Sequence, residues 1–154
     1  RQLNNCTLVR MLADMSDGQL FTPSGDDELL ISVYARQART LDDLPYTDQF
    51  ERIYDALSDD GRPTRAELLH RLHNLRKAGR LPRLGRATQL PPRIDAAAEQ
   101  LLVRLVEQHI GRLGLRDQLP YTDMFDQIVA AFNTQGDLTL SPHDVWRIVA
   151  KLAK

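Results

Sequence analysis

The sequence predicts an all-α protein that contains a three-helix unit twice in tandem. The segment LPYTD occurs at residues 44–48 and again at 119–123, and five identical residues are unlikely to recur by chance in 154. Apolar residues follow both copies at the spacing of one helix face. Aromatic residues make up only 6% of the chain, so aliphatic side chains must form most of the core.

Composition bounds the class of protein. Hydrophobic residues make up 42% and charged residues 27% of the chain, which is typical of a folded globular domain. No apolar run approaches the ~20 residues that a membrane-spanning helix needs, and no signal-peptide pattern is present. Cys6 is the only cysteine, which excludes an internal disulfide and a multi-thiol zinc site. We therefore expect a cytoplasmic protein with no membrane partner.

The repeated segments divide the chain into four parts. Residues 1–25 form an N-terminal extension, with a short helix expected over 7–15. The first three-helix repeat covers residues 26–86, and the second covers 95–154. Residues 87–94 connect them and include two consecutive prolines, which suits a short exposed linker.

In each repeat, LPYTD is predicted to be the corner between the first and second helices. The first helices are expected over 26–41 and 95–113. Pro ends them, Tyr packs under the turn, and the N-caps of the next helices are Thr47 and Thr122. The predicted buried faces of the second helices are Phe50, Ile53, Tyr54 and Leu57 in the first repeat and Phe125, Ile128, Val129 and Phe132 in the second.

The third helices are predicted from their capping residues. Thr64 and Glu67 form a capping-box pattern, and Ser141 followed by Pro142 is a typical helix start. The matched apolar residues are Leu68, Leu69, Leu72 and Leu75 in the first repeat and Val145, Trp146, Val149 and Leu152 in the second. Trp146 is expected in the core rather than at an exposed binding site.

Positive charge is concentrated in the third helix of the first repeat and in the residues after it. Between positions 62 and 93 there are nine basic residues and one acidic residue, so this segment carries +8 although the whole chain carries −1. Three helices with a basic last helix and an arginine-bearing arm resemble a helix-turn-helix or winged-helix unit, in which 81–84 could form a minor β-wing. The resemblance implies nucleic-acid binding, DNA before RNA, through Arg71, Arg76, Lys77, Arg80, Arg83 and Arg86.

An alternative interpretation assigns the same cations to ion pairs. The rest of the chain carries −9, so the arginines could pair with acidic residues within the chain or at an oligomer contact. The protein would then be a protein-interaction or self-associating module, or an accessory domain of a larger protein. A contiguous unpaired basic surface would favour nucleic acid. The alternative would be favoured by arginines interleaved with the acids Asp26, Asp27, Glu28, Asp42 and Asp43.

The sequence offers no catalytic or cofactor motif, and we predict a non-catalytic protein without cofactor or metal. The segments around Gly61 and Gly136 resemble paired EF-hand loops, but neither supplies the ligand set that calcium needs. Glu67 and His70 have the spacing of a di-iron motif, yet the second repeat has Arg147 in the position of the histidine.

Overall fold

The computed structural model describes residues 25–57, 63–84 and 90–154, and all regular elements in these ranges are helical. The N-terminal extension, with its predicted helix over 7–15, lies outside the described residues except for Gly25. The elements are α1 (Gly25–Arg36), a first 3-10 helix (Leu41–Asp43), α2 (Asp48–Ala56), α3 (Arg65–Lys77), α4 (Ala96–Ile110), a second 3-10 helix (Leu113–Gln118), α5 (Asp123–Gly136) and α6 (Pro142–Leu152).

The predicted helix starts are confirmed by side-chain caps. The hydroxyls of Thr47 and Thr122 each accept a hydrogen bond of 3.2 Å from the backbone N–H three residues later. Thr64 forms a full capping box with Glu67 at the start of α3, and Ser141 caps α6 with Pro142 in the first turn. These caps satisfy backbone donors that a helix N-terminus leaves without partners.

The first helices are shorter than the apolar spacing predicts. α1 ends at Arg36 rather than near 41, and Ala38 then takes a left-handed conformation with a φ of 54°. α4 ends at Ile110 because Gly111 takes a φ of 86°, which costs glycine little and terminates the helix. A 3-10 helix follows each of them and leads into LPYTD.

The apolar side chains form two buried clusters. One comes from α1, the first 3-10 helix, the first LPYTD segment, α2 and α3; the other comes from α4, the second LPYTD segment, α5 and α6. The residues predicted for the buried faces of the second and third helices are buried, and Phe50, Phe125 and Trp146 fully so, except that Leu57 and Leu152 are only partly buried against the clusters. Each cluster is also covered by a tyrosine from the other half of the chain, Tyr121 on the first and Tyr46 on the second.

The two halves pack directly on one another. α3 lies against the second 3-10 helix, and α6 lies against the first. The β-wing is not confirmed, because residues 81–84 are described and contain no strand. No helix among the described residues is both long enough and apolar enough to span a membrane.

Candidate functional site

Two of the cations predicted to bind nucleic acid meet one carboxylate at the start of α1. The Nε of Arg71 donates to Oδ1 of Asp27 at 2.6 Å, and Nη1 of Arg80 lies 3.6 Å from Oδ2 of the same residue. Asp27 is 9% exposed, so burial strengthens its attraction to both guanidinium groups. This cluster ties α3 and the segment after it to α1.

Two more of these cations meet the aspartates of the 3-10 helices. Arg76 donates to Asp42 at 2.9 Å, and Nζ of Lys77 lies 3.8 Å from Asp117. Burial opposes ionisation of Asp42, but the hydrogen bond and the charge of Arg76, assisted by Lys154, lower the pKa of this carboxyl. The carboxylate of Asp42 therefore stays charged and pairs with Arg76 and Lys154.

The remaining two predicted residues are placed differently. Arg83 is exposed and forms no ion pair within the described part of the chain. Arg86 lies outside the described residues. Four of the six predicted cations thus contact carboxylates, and these contacts reduce the positive potential that a phosphate would meet.

The two LPYTD segments lie against one another in a reciprocal arrangement. The backbone N–H of Tyr46 donates to the hydroxyl of Tyr121 at 2.6 Å, and the N–H of Tyr121 donates to the hydroxyl of Tyr46 at 2.6 Å. Their ring centroids are 4.5 Å apart. The prediction that each tyrosine packs under its own turn is corrected here, since each crosses to the other half of the chain.

Aromatic stacking extends this contact into both cores. The ring of Tyr121 stacks on Phe50 at 4.7 Å, and the ring of Tyr46 stacks on Phe125 at 5.7 Å. Burial raises the pKa of Tyr46 to about 12 and raises the pKa of Tyr121 as well. Both hydroxyls are therefore protonated at neutral pH, and each accepts the backbone hydrogen bond as a neutral group.

The aspartates of the 3-10 helices add polar contacts on both sides of the tyrosine pair. Lys154 at the end of α6 lies 3.5 Å from Asp42, as Lys77 at the end of α3 lies 3.8 Å from Asp117. The indole N–H of Trp146 donates to the backbone carbonyl of Asp42 at 2.8 Å. Sequence reasoning did not single out Asp117, although it lies 75 residues after Asp42, the same offset as LPYTD.

A buried ion pair also joins the halves. Nε of Arg147 lies 2.9 Å from Oδ1 of Asp43, and each residue is 9% exposed. Arg39 donates to the other carboxylate oxygen of Asp43 at 2.9 Å. His143 donates through Nδ1 to the carbonyl of Pro45 at 2.9 Å, because a carbonyl can only accept. No sequence motif marks these residues, since the contact joins positions about a hundred residues apart.

His73 lies buried between α3 and the second 3-10 helix. Its side chain is fully buried, and Nδ1 is 3.3 Å from Arg76 and 3.7 Å from Asp117. Burial lowers the pKa of His73 to about 4, although the charge of Asp117 acts in the opposite direction. The imidazole is therefore neutral at pH 7.

The residues considered as metal ligands, Glu67 and His70, both lie exposed on α3. The carboxylate of Glu67 accepts from the backbone N–H of Thr64 at 3.0 Å, and His70 is exposed on α3. Among residues 25–57, 63–84 and 90–154, no three His, Cys, Asp or Glu side chains are grouped as a metal site would need. Comparison with known proteins finds no matching family model, no matching curated protein and no matching solved structure.

Proposed function

We propose that the chain is a tandem of two related three-helix units and serves as a protein-interaction module or an accessory domain of a larger protein. In this proposal the protein is non-catalytic and cytoplasmic, and the basic segment acts mainly through ion pairs within the chain. The observation that carries the proposal is the contact of four predicted nucleic-acid-binding cations with Asp27, Asp42 and Asp117.

The order of elements supports the tandem relationship. A helix, a 3-10 helix and two further helices occur in this order in both halves. Corresponding residues make corresponding contacts, as the reciprocal hydrogen bonds of Tyr46 and Tyr121 and the matched pairs Lys77–Asp117 and Lys154–Asp42 illustrate. An association in which each half supplies the same group to the other is typical of pseudo-twofold symmetry.

The position of α3 favours interaction with protein over insertion into a DNA groove. A recognition helix must present a protruding face to the base edges. One side of α3 is packed against the second 3-10 helix, with His73 buried and Asp117 close to Lys77. The carboxylate of Asp117 would repel the phosphates that approach this side.

Nucleic-acid binding stays the second candidate function. It is favoured by Arg83, which is exposed and has no ion-pair partner in the described ranges, and by Lys77, whose side chain is 63% exposed. An exposed ion pair contributes little energy, so a phosphate could displace such a carboxylate. Under this alternative, the contact of the six predicted cations with nucleic acid remains a prediction.

Fluorescence anisotropy with labelled duplex DNA, single-stranded DNA and duplex RNA at two salt concentrations separates the two candidates. We expect no saturable binding to any of them at 150 mM salt, because most of the cations are already paired. Saturable, salt-sensitive binding would contradict the proposal. In that case the triple variant Arg76→Ala/Lys77→Ala/Arg80→Ala should reduce the log–log salt slope by about 0.9 for each phosphate that it no longer neutralises. Arg104→Ala, an exposed change on α4, is the control.

A further inference from the structure

An open groove of about 620 Å³ runs along the outer face of α4 to the end of α6. Val103 and Leu152 give it an apolar floor, and both are half-buried. Glu99, Arg104 and Glu107 also line it, so its charged residues sum to −1. The groove therefore combines an apolar strip with a slightly acidic border.

The first half of the chain contains a corresponding surface on α1. The buried residues Leu30, Val33 and Tyr34 of α1 match the buried residues Leu102, Leu105 and Val106 of α4 at a constant offset of 72. This offset places Asp27 at the position of Glu99 and Ile31 at the position of Val103. Each pair keeps its chemistry, a carboxylate and a β-branched apolar side chain.

The segment that follows α3 contacts α1 at Asp27 and packs on the first buried cluster. The segment after α3 reads Arg80, Leu81, Pro82, Arg83, Leu84. Arg80 lies 3.6 Å from the carboxylate of Asp27. Leu81 and Leu84 are partly buried against the first buried cluster, and so is Ile31 of α1. Pro82 and Arg83 are exposed. In this segment an arginine pairs with a carboxylate, and leucines one and four positions later pack on apolar residues.

The corresponding surface on α4 is left open in the described part of the chain. Glu99 forms no ion pair there, and the α6 residue that matches Arg71 is Ile148, which supplies no charge. Leu152, which corresponds to Leu75, borders the groove. The acid and the apolar strip are present on α4, and the groove between them is not filled by any described residue.

We propose that this groove binds an extended peptide of the pattern Arg-Leu-x-x-Leu, an inference that rests on the proposed interaction function. The arginine pairs with Glu99, and the two leucines lie on Val103 and Leu152. The net negative charge of the border favours a basic peptide, and the apolar strip supplies the greater part of the affinity.

An NMR titration of the isotope-labelled full chain tests this inference. The probe is the synthetic peptide Ala-Gly-Arg-Leu-Pro-Arg-Leu, which has the sequence of residues 78–84. We expect saturable shifts of the amide signals of Glu99, Val103 and Leu152. A peptide with alanine in place of both leucines should produce no saturable shifts.

Two variants and one control define the contacts. Val103→Asp should weaken binding about tenfold or more, because it places a charge on the apolar floor. Glu99→Gln should weaken it about threefold, as expected for one exposed ion pair. Gln127→Lys changes the net charge by the same amount on the exposed face of α5 and should leave binding unchanged.

Absence of saturable shifts would overturn the inference, as would shifts confined to α1 and α3, which would mean that the peptide displaces the chain's own segment. Equal weakening by Glu99→Gln and Gln127→Lys would also overturn it, since general charge would then explain binding. Nucleic-acid binding in the anisotropy experiment tests the proposed function separately. A failed peptide titration without nucleic-acid binding therefore removes only this groove assignment.

Discussion

Tyr46 and Tyr121 hold a backbone conformation that bulky residues rarely adopt. Their φ angles are 65° and 63°, in the left-handed region that favours glycine. Such a conformation costs on the order of 1–3 kcal/mol per residue and persists only where surrounding contacts stabilise it. Here the reciprocal hydrogen bonds and the stacked rings provide those contacts. The tyrosine of each LPYTD segment therefore stabilises the contact between the two halves of the chain.

Asp43 offers a direct test of the buried ion pair. Asp43→Ala removes the carboxylate that lies 2.9 Å from Arg147, which is only 9% exposed. We expect a decrease of about 3 kcal/mol in the free energy of unfolding, because a buried guanidinium is deprived of this counter-charge. Urea denaturation measures the decrease.

The exposed ion pair between Arg65 and Glu51 is the matched control. Its nitrogen–oxygen distance is also 2.9 Å, but the two side chains are 45% and 41% exposed. Glu51→Ala should cost less than about 1 kcal/mol, since solvent screens the pair. Equal destabilisation by Asp43→Ala and Glu51→Ala would contradict the structural role assigned to Asp43.

His73 should make the stability of the fold dependent on pH. Burial holds its pKa at about 4 in the folded chain, against 6.5 for an exposed histidine. The unfolded chain therefore binds a proton first as the pH falls through 6.5, and folding is destabilised until the folded state is protonated near pH 4. The charged groups that face the ring are Asp117, Arg76, Lys77 and Asp42.

The expected contribution of His73 is a destabilisation of about 2 kcal/mol between pH 7.5 and pH 5. Urea denaturation at both pH values measures it in the wild-type chain and in His73→Gln, which carries no titrating ring. The variant should be destabilised by about 2 kcal/mol less than the wild type over this interval. The same change in both proteins would show that His73 does not titrate as proposed.

At the scale of the helices, the sequence predicts the features that depend on residues close together in the chain, namely the helix caps and the buried faces. The caps at Thr47, Thr64, Thr122 and Ser141 involve contacts three residues apart, and all four are present. The buried faces also follow from local spacing. The end of α1 at Arg36 was not predicted, because no glycine or proline marks it.

The candidate sites depended on contacts that local patterns do not contain. The guanidinium of an arginine suits a phosphate and a carboxylate equally well, so the composition of α3 could not decide between them. The partner of Arg71 is Asp27, 44 residues earlier, and the partner of Lys77 is Asp117, 40 residues later. Only the packing of α1 and of the second 3-10 helix on α3 brings these groups together.

At the scale of the whole molecule, the two halves depend on one another. Each buried cluster is completed by a tyrosine from the other half, and the indole of Trp146 donates to the first 3-10 helix. Neither half alone would satisfy these groups. We therefore expect the described helices to unfold as one cooperative unit, in which the repeated LPYTD segments form the junction.

Urea unfolding followed simultaneously by two probes tests this central claim most directly. Trp146 is the only tryptophan and reports on the second half, whereas far-ultraviolet circular dichroism reports on all helices. We predict that the two transitions coincide. In the double variant Tyr46→Phe/Tyr121→Phe, both transitions should move together to a lower urea concentration. Each lost hydroxyl leaves a backbone N–H without its hydrogen-bond partner, which costs about 1 kcal/mol. A tryptophan transition separated from the dichroism transition would contradict the account, since the halves would then unfold independently.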